Sequence, residues 1–183
     1  MRRGNLDCFV GALWPPRNDI IGGCAKVSMM QRDYILILHD TLKDLDESRH
    51  WLKRSYDICQ AIGVKDAYNE DEFDAFETLT GRFARTCDII IQKGFRSIDK
   101  VEFEDRGALL DALNRAHKRG LIDSIDEIRI VRDLRNEIVH EYRRLHLQKL
   151  FQSILAQTPG LFSLLDRISD YCRQYADAGH DVA

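Results

Sequence analysis

Proline is scarce in this chain: there are three among 183 residues, and none falls between Pro16 and Pro159. Proline lacks a backbone donor and clashes with the preceding helical turn, so its absence leaves helix permitted throughout that long region. Long apolar runs are also missing. Stretches such as Ile35–Leu38 and Ile89–Ile91 fall far short of the roughly 20 apolar residues a membrane helix needs. Positive charge is not in excess, since 27 Lys and Arg face 30 Asp and Glu for a net charge of −3. That excludes a polycationic nucleic-acid coat, although a local basic patch stays open because the field at one cleft is set by nearby residues. The five cysteines form no Cys-x-x-Cys pair and are odd in number, which argues against a disulfide framework or a zinc site. Cys59 and Cys87 lie in apolar helical patterns and read as small buried hydrophobes of a protein kept in the reducing cytoplasm. No His-Glu-x-x-His spacing marks a metal site, and no glycine-rich phosphate loop follows a strand.

What remains is a chain of one domain's size, 44% hydrophobic and 31% charged, able to build a core. Residues 1–28 read as an irregular leader or tail, with Gly4, Gly11, Gly22, Gly23 and the Pro15-Pro16 pair and no helical apolar period. Met29 and Met30 stand just before the first periodic segment. From there to about residue 178 the pattern predicts an all-α, up-and-down antiparallel bundle of four to five helices. The first helix is expected over Gln31 to Ile62, ended by Gly63, with Leu38, Leu45, Leu52 and Ile58 among its apolar positions. The second is expected from about Asp71 to Val101, its stripe of Phe76, Leu79, Phe83, Cys87 and Ile90 interrupted by Gly94. A third is expected from Arg106 to Arg119, capped by Asp105 and Gly120. Ser124 and Glu127 have capping-box spacing for a fourth helix with Ile128, Val131, Leu134 and Ile138 inside. Thr158-Pro159 reads as the start of a further helix carrying Leu161, Leu164, Leu165 and Ile168.

One stretch carries chemistry: Arg132-Asp133-Leu134-Arg135-Asn136-Glu137-Ile138-Val139-His140-Glu141-Tyr142. Arg135 is the one arginine followed by a histidine five residues later, giving Arg-x4-His-x-Tyr. RNA can be cut without metal when its own 2′-hydroxyl attacks the adjacent phosphorus. That route needs a base, an acid and a cation for the phosphorane. Histidine serves either proton role near neutrality. Arginine supplies a permanent charge and a planar fork for phosphate oxygens. On an ideal helix five residues turn about 500°, so Arg135 and His140 point about 140° apart. Either the helix frays or bends near His140, or a twofold homodimer brings two copies of each residue to one cleft. Asn136, four residues before His140, is placed to hold the imidazole or to satisfy backbone near a helix end. Arg143, Arg144, His146 and Lys149 form a positive run, and Arg132 adds to it, as a solvated face or a track for phosphates. Arg115, His117, Lys118 and Arg119 form a second, weaker basic cluster.

The motif resembles that of the HEPN superfamily of helical ribonucleases, and its terminal tyrosine resembles the HepT-like toxin branch. The resemblance spans roughly residues 30–175 and implies the same helical bundle. It further implies a metal-independent endoribonuclease, active without cofactor as a homodimer with a composite site, the toxin of a toxin–antitoxin pair. Arg135 and His140 would be catalytic and Asn136 supporting. Arg132, Arg143, Arg144 and Lys149 would contact RNA. Tyr142 would accept AMP from an MntA-like nucleotidyltransferase antitoxin, and the added phosphate charge would repel RNA. Two rivals belong to other classes. The chain is either a non-catalytic subunit binding a nucleotide or a nucleotidyltransferase partner, or a helical dimer with a purely structural role.

Overall fold

A computed structural model describes the backbone of residues 18–140 and 144–175, and the side chains of residues 29–138 and 147–175. The described residues form an all-α helical bundle. Its helices are α1 (Asn18–Ile62), α2 (Glu70–Ile89), a π turn (Ile90–Gly94), α3 (Phe95–Val101), α4 (Leu109–Lys118), α5 (Ile125–His140), α6 (Arg144–Cys172) and a closing 3₁₀ turn (Arg173–Tyr175).

The first helix begins at Asn18, inside the segment read as an irregular leader, so Gly22 and Gly23 lie within a helix despite their poor propensity. It buries Leu38, Leu45, Leu52 and Cys59, a stripe at seven-residue steps, and ends where expected. Gly63 takes φ +74°, a conformation that costs glycine nothing, and its N–H closes on the Cys59 carbonyl at 2.9 Å. Asn69 then caps α2. Its side chain accepts from the Glu72 N–H at 2.9 Å while the Glu72 carboxylate accepts from the Asn69 N–H at 3.2 Å. The sequence stripe of Phe76, Leu79, Phe83, Cys87 and Ile90 is buried throughout.

Contacts between α1 and α2 give their relative direction. Cys59 meets Ala75, Ser55 meets Arg82, Ser48 meets Thr86 and Asp44 meets Lys93, so the two helices run antiparallel. Helix α6 also opposes α1, since His39 meets Tyr175, Arg49 meets Asp166 and Tyr56 meets Phe162. Between them, Phe76 of α2 stacks on Phe151 of α6 with ring centroids 5.0 Å apart. His39 is half-buried by that closing contact.

Three local features differ from expectation. Helix α4 starts at Leu109 rather than near Arg106, because the cap is made by Asp111 and not Asp105. The Asp111 carboxylate accepts the Ala108 N–H at 2.7 Å, and it lies against Gly107 at φ +100°, where any side chain would strike it. At α5, Ser124 Oγ accepts the Glu127 N–H at 3.2 Å, but Glu127 reaches back one residue further, to the Asp123 N–H at 2.9 Å. Pro159 does not begin a helix. It lies inside α6, whose buried face runs without a phase change from Leu150, Phe151 and Ile154 through Thr158 to Leu161, Leu165, Ile168 and Cys172. Proline's φ is itself helical, and the stripe on both sides outweighs one lost donor. None of the described helices is long and apolar enough to cross a membrane.

Candidate functional site

Arg135 lies on α5 where that helix packs against α2. The residue that receives it is Asp88, near the end of α2. Nε and Nη2 of Arg135 donate to the two carboxylate oxygens at 2.8 and 2.9 Å, a fork-to-fork pair. These hydrogen bonds, with the Asp88 charge, raise the pKa of Arg135 further from its already high value. Nη1 is turned the other way, 3.4 Å from the Asn136 side-chain oxygen.

Both residues line an open cavity of about 430 Å³, together with Ile91, Gln92, Arg96, Leu109, Arg132 and Asn136. That size falls in the range of small-molecule sites, about 300–1,000 Å³. The π turn builds one wall. In an unbroken α-helix Asp88 and Arg96 would sit about 80° apart around the axis. A π turn absorbs one residue between them and brings the two to within about 20°, on one face. Arg96, at the start of α3, is steadied by donating from Nη1 to the Gly107 carbonyl at 3.2 Å. Arg132, one turn before Arg135 on α5, is exposed and pairs with no carboxylate among the described residues. Three guanidiniums therefore surround the cavity against the single carboxylate of Asp88. Uncompensated like charges repel, so the cavity favours an anion.

The sequence-predicted residues divide sharply. Arg135, Asn136 and Arg132 come together at this cavity. The backbone of α5 stays helical through His140, so the helix does not fray between Arg135 and His140. Asn136 keeps its one-turn spacing to His140, and its described contact is with Arg135. The side chains of His140 and Arg144, and all of Tyr142 and Arg143, lie outside the described residues. Lys149 is exposed on α6, two residues before Phe151, which packs beside Phe73 and Phe76. Asp88 lies twelve residues beyond Phe76, about 18 Å along the helix, so Lys149 does not share the cavity. Neither Asp88 nor Arg96 was singled out from the sequence. Gly94, noted as an interruption of a helical stripe, was the one local sign of the π turn that brings them together.

Two members of the second basic cluster are structural, while His117 and Lys118 are exposed. Asp99 of α3 is completely buried, and Arg115 of α4 and Arg119 at its C-cap hold it. Arg115 Nη2 donates to Oδ2 at 2.6 Å, and Arg119 Nη1 to Oδ1 at 2.6 Å. Arg119 also bridges to Glu102 at 2.7 Å, and Glu102 accepts the hydroxyls of Tyr171 and Tyr175 at 2.5 and 2.7 Å. This network ties α3, α4 and the end of α6 into one body and occupies the two arginines of that cluster.

Comparison of the chain with protein-family models, with curated proteins and with solved structures finds no match.

Proposed function

We propose that the protein is a metal-independent endoribonuclease of the HepT-like toxin type, acting in the cytoplasm as a homodimer. The observation that carries the proposal is Arg135. The arginine of the Arg-x4-His-x-Tyr motif lines an open, anion-favouring cavity, and Asp88 fixes its guanidinium while Nη1 stays turned from the pair. In this reading Nη1 meets a phosphate oxygen of RNA and stabilises the phosphorane, and His140 transfers the proton. Since the backbone of α5 runs as helix through His140, the five-residue spacing sets the two positions about 140° apart around its axis, and a composite site from two protomers would supply the missing pairing and a second histidine. Tyr142 is the residue for AMP transfer by a nucleotidyltransferase antitoxin.

A second reading is favoured by the same pair. Asp88 offsets the charge of Arg135, which suits a groove that binds a nucleotide or a partner without cutting. The test is cleavage of a mixed cellular RNA pool in excess EDTA, by wild type and His140→Ala purified together, with intact masses recorded. Cleavage by wild type alone supports the nuclease. No cleavage by either protein, from wild type that carries no AMP-sized mass increment, overturns it in favour of the binding subunit.

A further inference from the structure

The arginine-lined cavity does not end at Arg132. It adjoins a second recess of about 140 Å³ between α4 and α5, and Leu109 and Arg132 line both. The walls of the smaller recess are largely apolar, with Leu109, Leu110, Leu113 and Ile125 among them, and Arg129 lines it beside Arg132. Leu110 is 56% exposed, which leaves its side chain open to meet an apolar ligand face. One groove thus carries a cationic end and an aliphatic end, joined at Arg132.

We propose that this groove is a subsite for a single nucleotide unit. Its phosphate lies between Arg96, Arg132 and Arg135, and its base lies flat against Leu109 and Leu110. The proposal deepens the ribonuclease reading by assigning Arg96, Leu109 and Leu110, which lie outside the motif, to substrate binding. The chemistry fits at both ends. Planar guanidiniums match phosphate oxygens, and Arg132 has no carboxylate among the described residues to satisfy it. A base presents an apolar face that aliphatic side chains cover. The polar side chains lining the recess are Arg129, paired with Asp126 at 2.8 Å, and Arg132, so any reading of the base edge falls to their guanidiniums.

The experiment titrates the full chain with 3′-AMP, adenosine and inorganic phosphate by calorimetry. Wild type, Arg132→Ala and Leu110→Ser are compared, both substitutions falling at exposed positions that leave the core intact. Because 3′-AMP has no phosphodiester to cut, binding is read separately from cleavage. Wild type should hold 3′-AMP at least tenfold more tightly than phosphate or adenosine. Arg132→Ala should weaken 3′-AMP and phosphate alike by about tenfold, and Leu110→Ser should weaken 3′-AMP alone. Equal affinity for 3′-AMP and phosphate, or an unchanged Leu110→Ser, overturns the subsite even if RNA is still cut. Binding with these variant effects in a protein that cuts no RNA keeps the subsite and removes the nuclease. Binding to vesicles of anionic lipid with none to 3′-AMP overturns it in favour of a membrane ligand.

Discussion

Asp88 grips Arg135 with both carboxylate oxygens, at 2.8 and 2.9 Å, across the seam between α2 and α5. The pair is partly open to solvent, with side chains 38% and 30% exposed, so its weight in folding is small. Its weight in orienting the guanidinium is larger, because two parallel hydrogen bonds leave Nη1 one direction. Asp88→Ala should therefore lower RNA cleavage tenfold or more while barely moving the urea midpoint. Asp88→Glu should recover part of the rate. A variant that loses stability and activity in step would make the pair a structural clamp instead.

Asp99 presents the opposite case. With its carboxylate buried between Arg115 and Arg119, removing it leaves two guanidiniums crowded without a counter-charge. Breaking a buried ion pair by deleting one partner costs about 3–5 kcal/mol. Asp99→Ala should lose about that much in urea unfolding. An exposed pair such as Lys43 and Asp40 supplies the contrast, where Asp40→Ala should change the unfolding free energy by less than about 1 kcal/mol.

Most of the fold was legible because its signals are local. Gly63, the buried stripe of α2, the Gly94 interruption and the inner residues Ile128, Val131 and Leu134 of α5 all lie where periodicity and turn chemistry put them. Pro159 misled because proline is favoured at helix starts, and only the unbroken phase of the stripe across it says otherwise. At the site, Arg132, Arg135 and Asn136 were found through motif spacing. Asp88 and Arg96 were not, because their role depends on a packing partner far away in sequence and on a π turn that shifts their register. Arg115 and Arg119 show the same limit in reverse. A run of basic residues looks free until the fold supplies Asp99.

Glu102 should make stability fall with acid. Burial pushes its pKa up, but the hydroxyls of Tyr171 and Tyr175 and the Arg119 guanidinium outweigh that and hold it below the ordinary 4.5. A carboxyl whose pKa is lower folded than unfolded stabilises the fold above its unfolded value. That contribution fades as pH falls through the folded one. Urea midpoints should decline from about pH 5 toward pH 3, and Glu102→Gln should flatten that decline while starting lower at pH 7. A Glu102→Gln profile parallel to wild type would remove Glu102 as a source of the acid sensitivity.

The buried thiols should be inert in the native state. Burial raises the Cys59 pKa to about 11 and that of Cys172 to about 12, and it pushes Cys87 up as well. At pH 8 a thiol of pKa about 11 is roughly one part in a thousand thiolate, the form that reacts. Iodoacetamide at pH 8, followed by peptide mass mapping, should leave Cys59, Cys87 and Cys172 unmodified until urea unfolds the chain. Modification of Cys59 in the folded protein would mean that α1 and α2 separate at that end.

Pro159 offers a substitution expected to stabilise. Its ring nitrogen has no hydrogen, so within α6 the Leu155 carbonyl loses its usual helical donor, while Thr158 Oγ donates to the Ile154 carbonyl at 2.6 Å. Pro159→Ala restores the donor at an exposed position without touching the buried face. An interior proline costs a helix about 3 kcal/mol, and the greater freedom of the unfolded alanine chain takes back up to about 1 kcal/mol. The net gain should be about 2 kcal/mol in urea unfolding. Helical circular dichroism should be unchanged or slightly stronger. A loss of stability would instead show that the proline sets a local backbone geometry on which Thr158 and the packing of Leu161 depend.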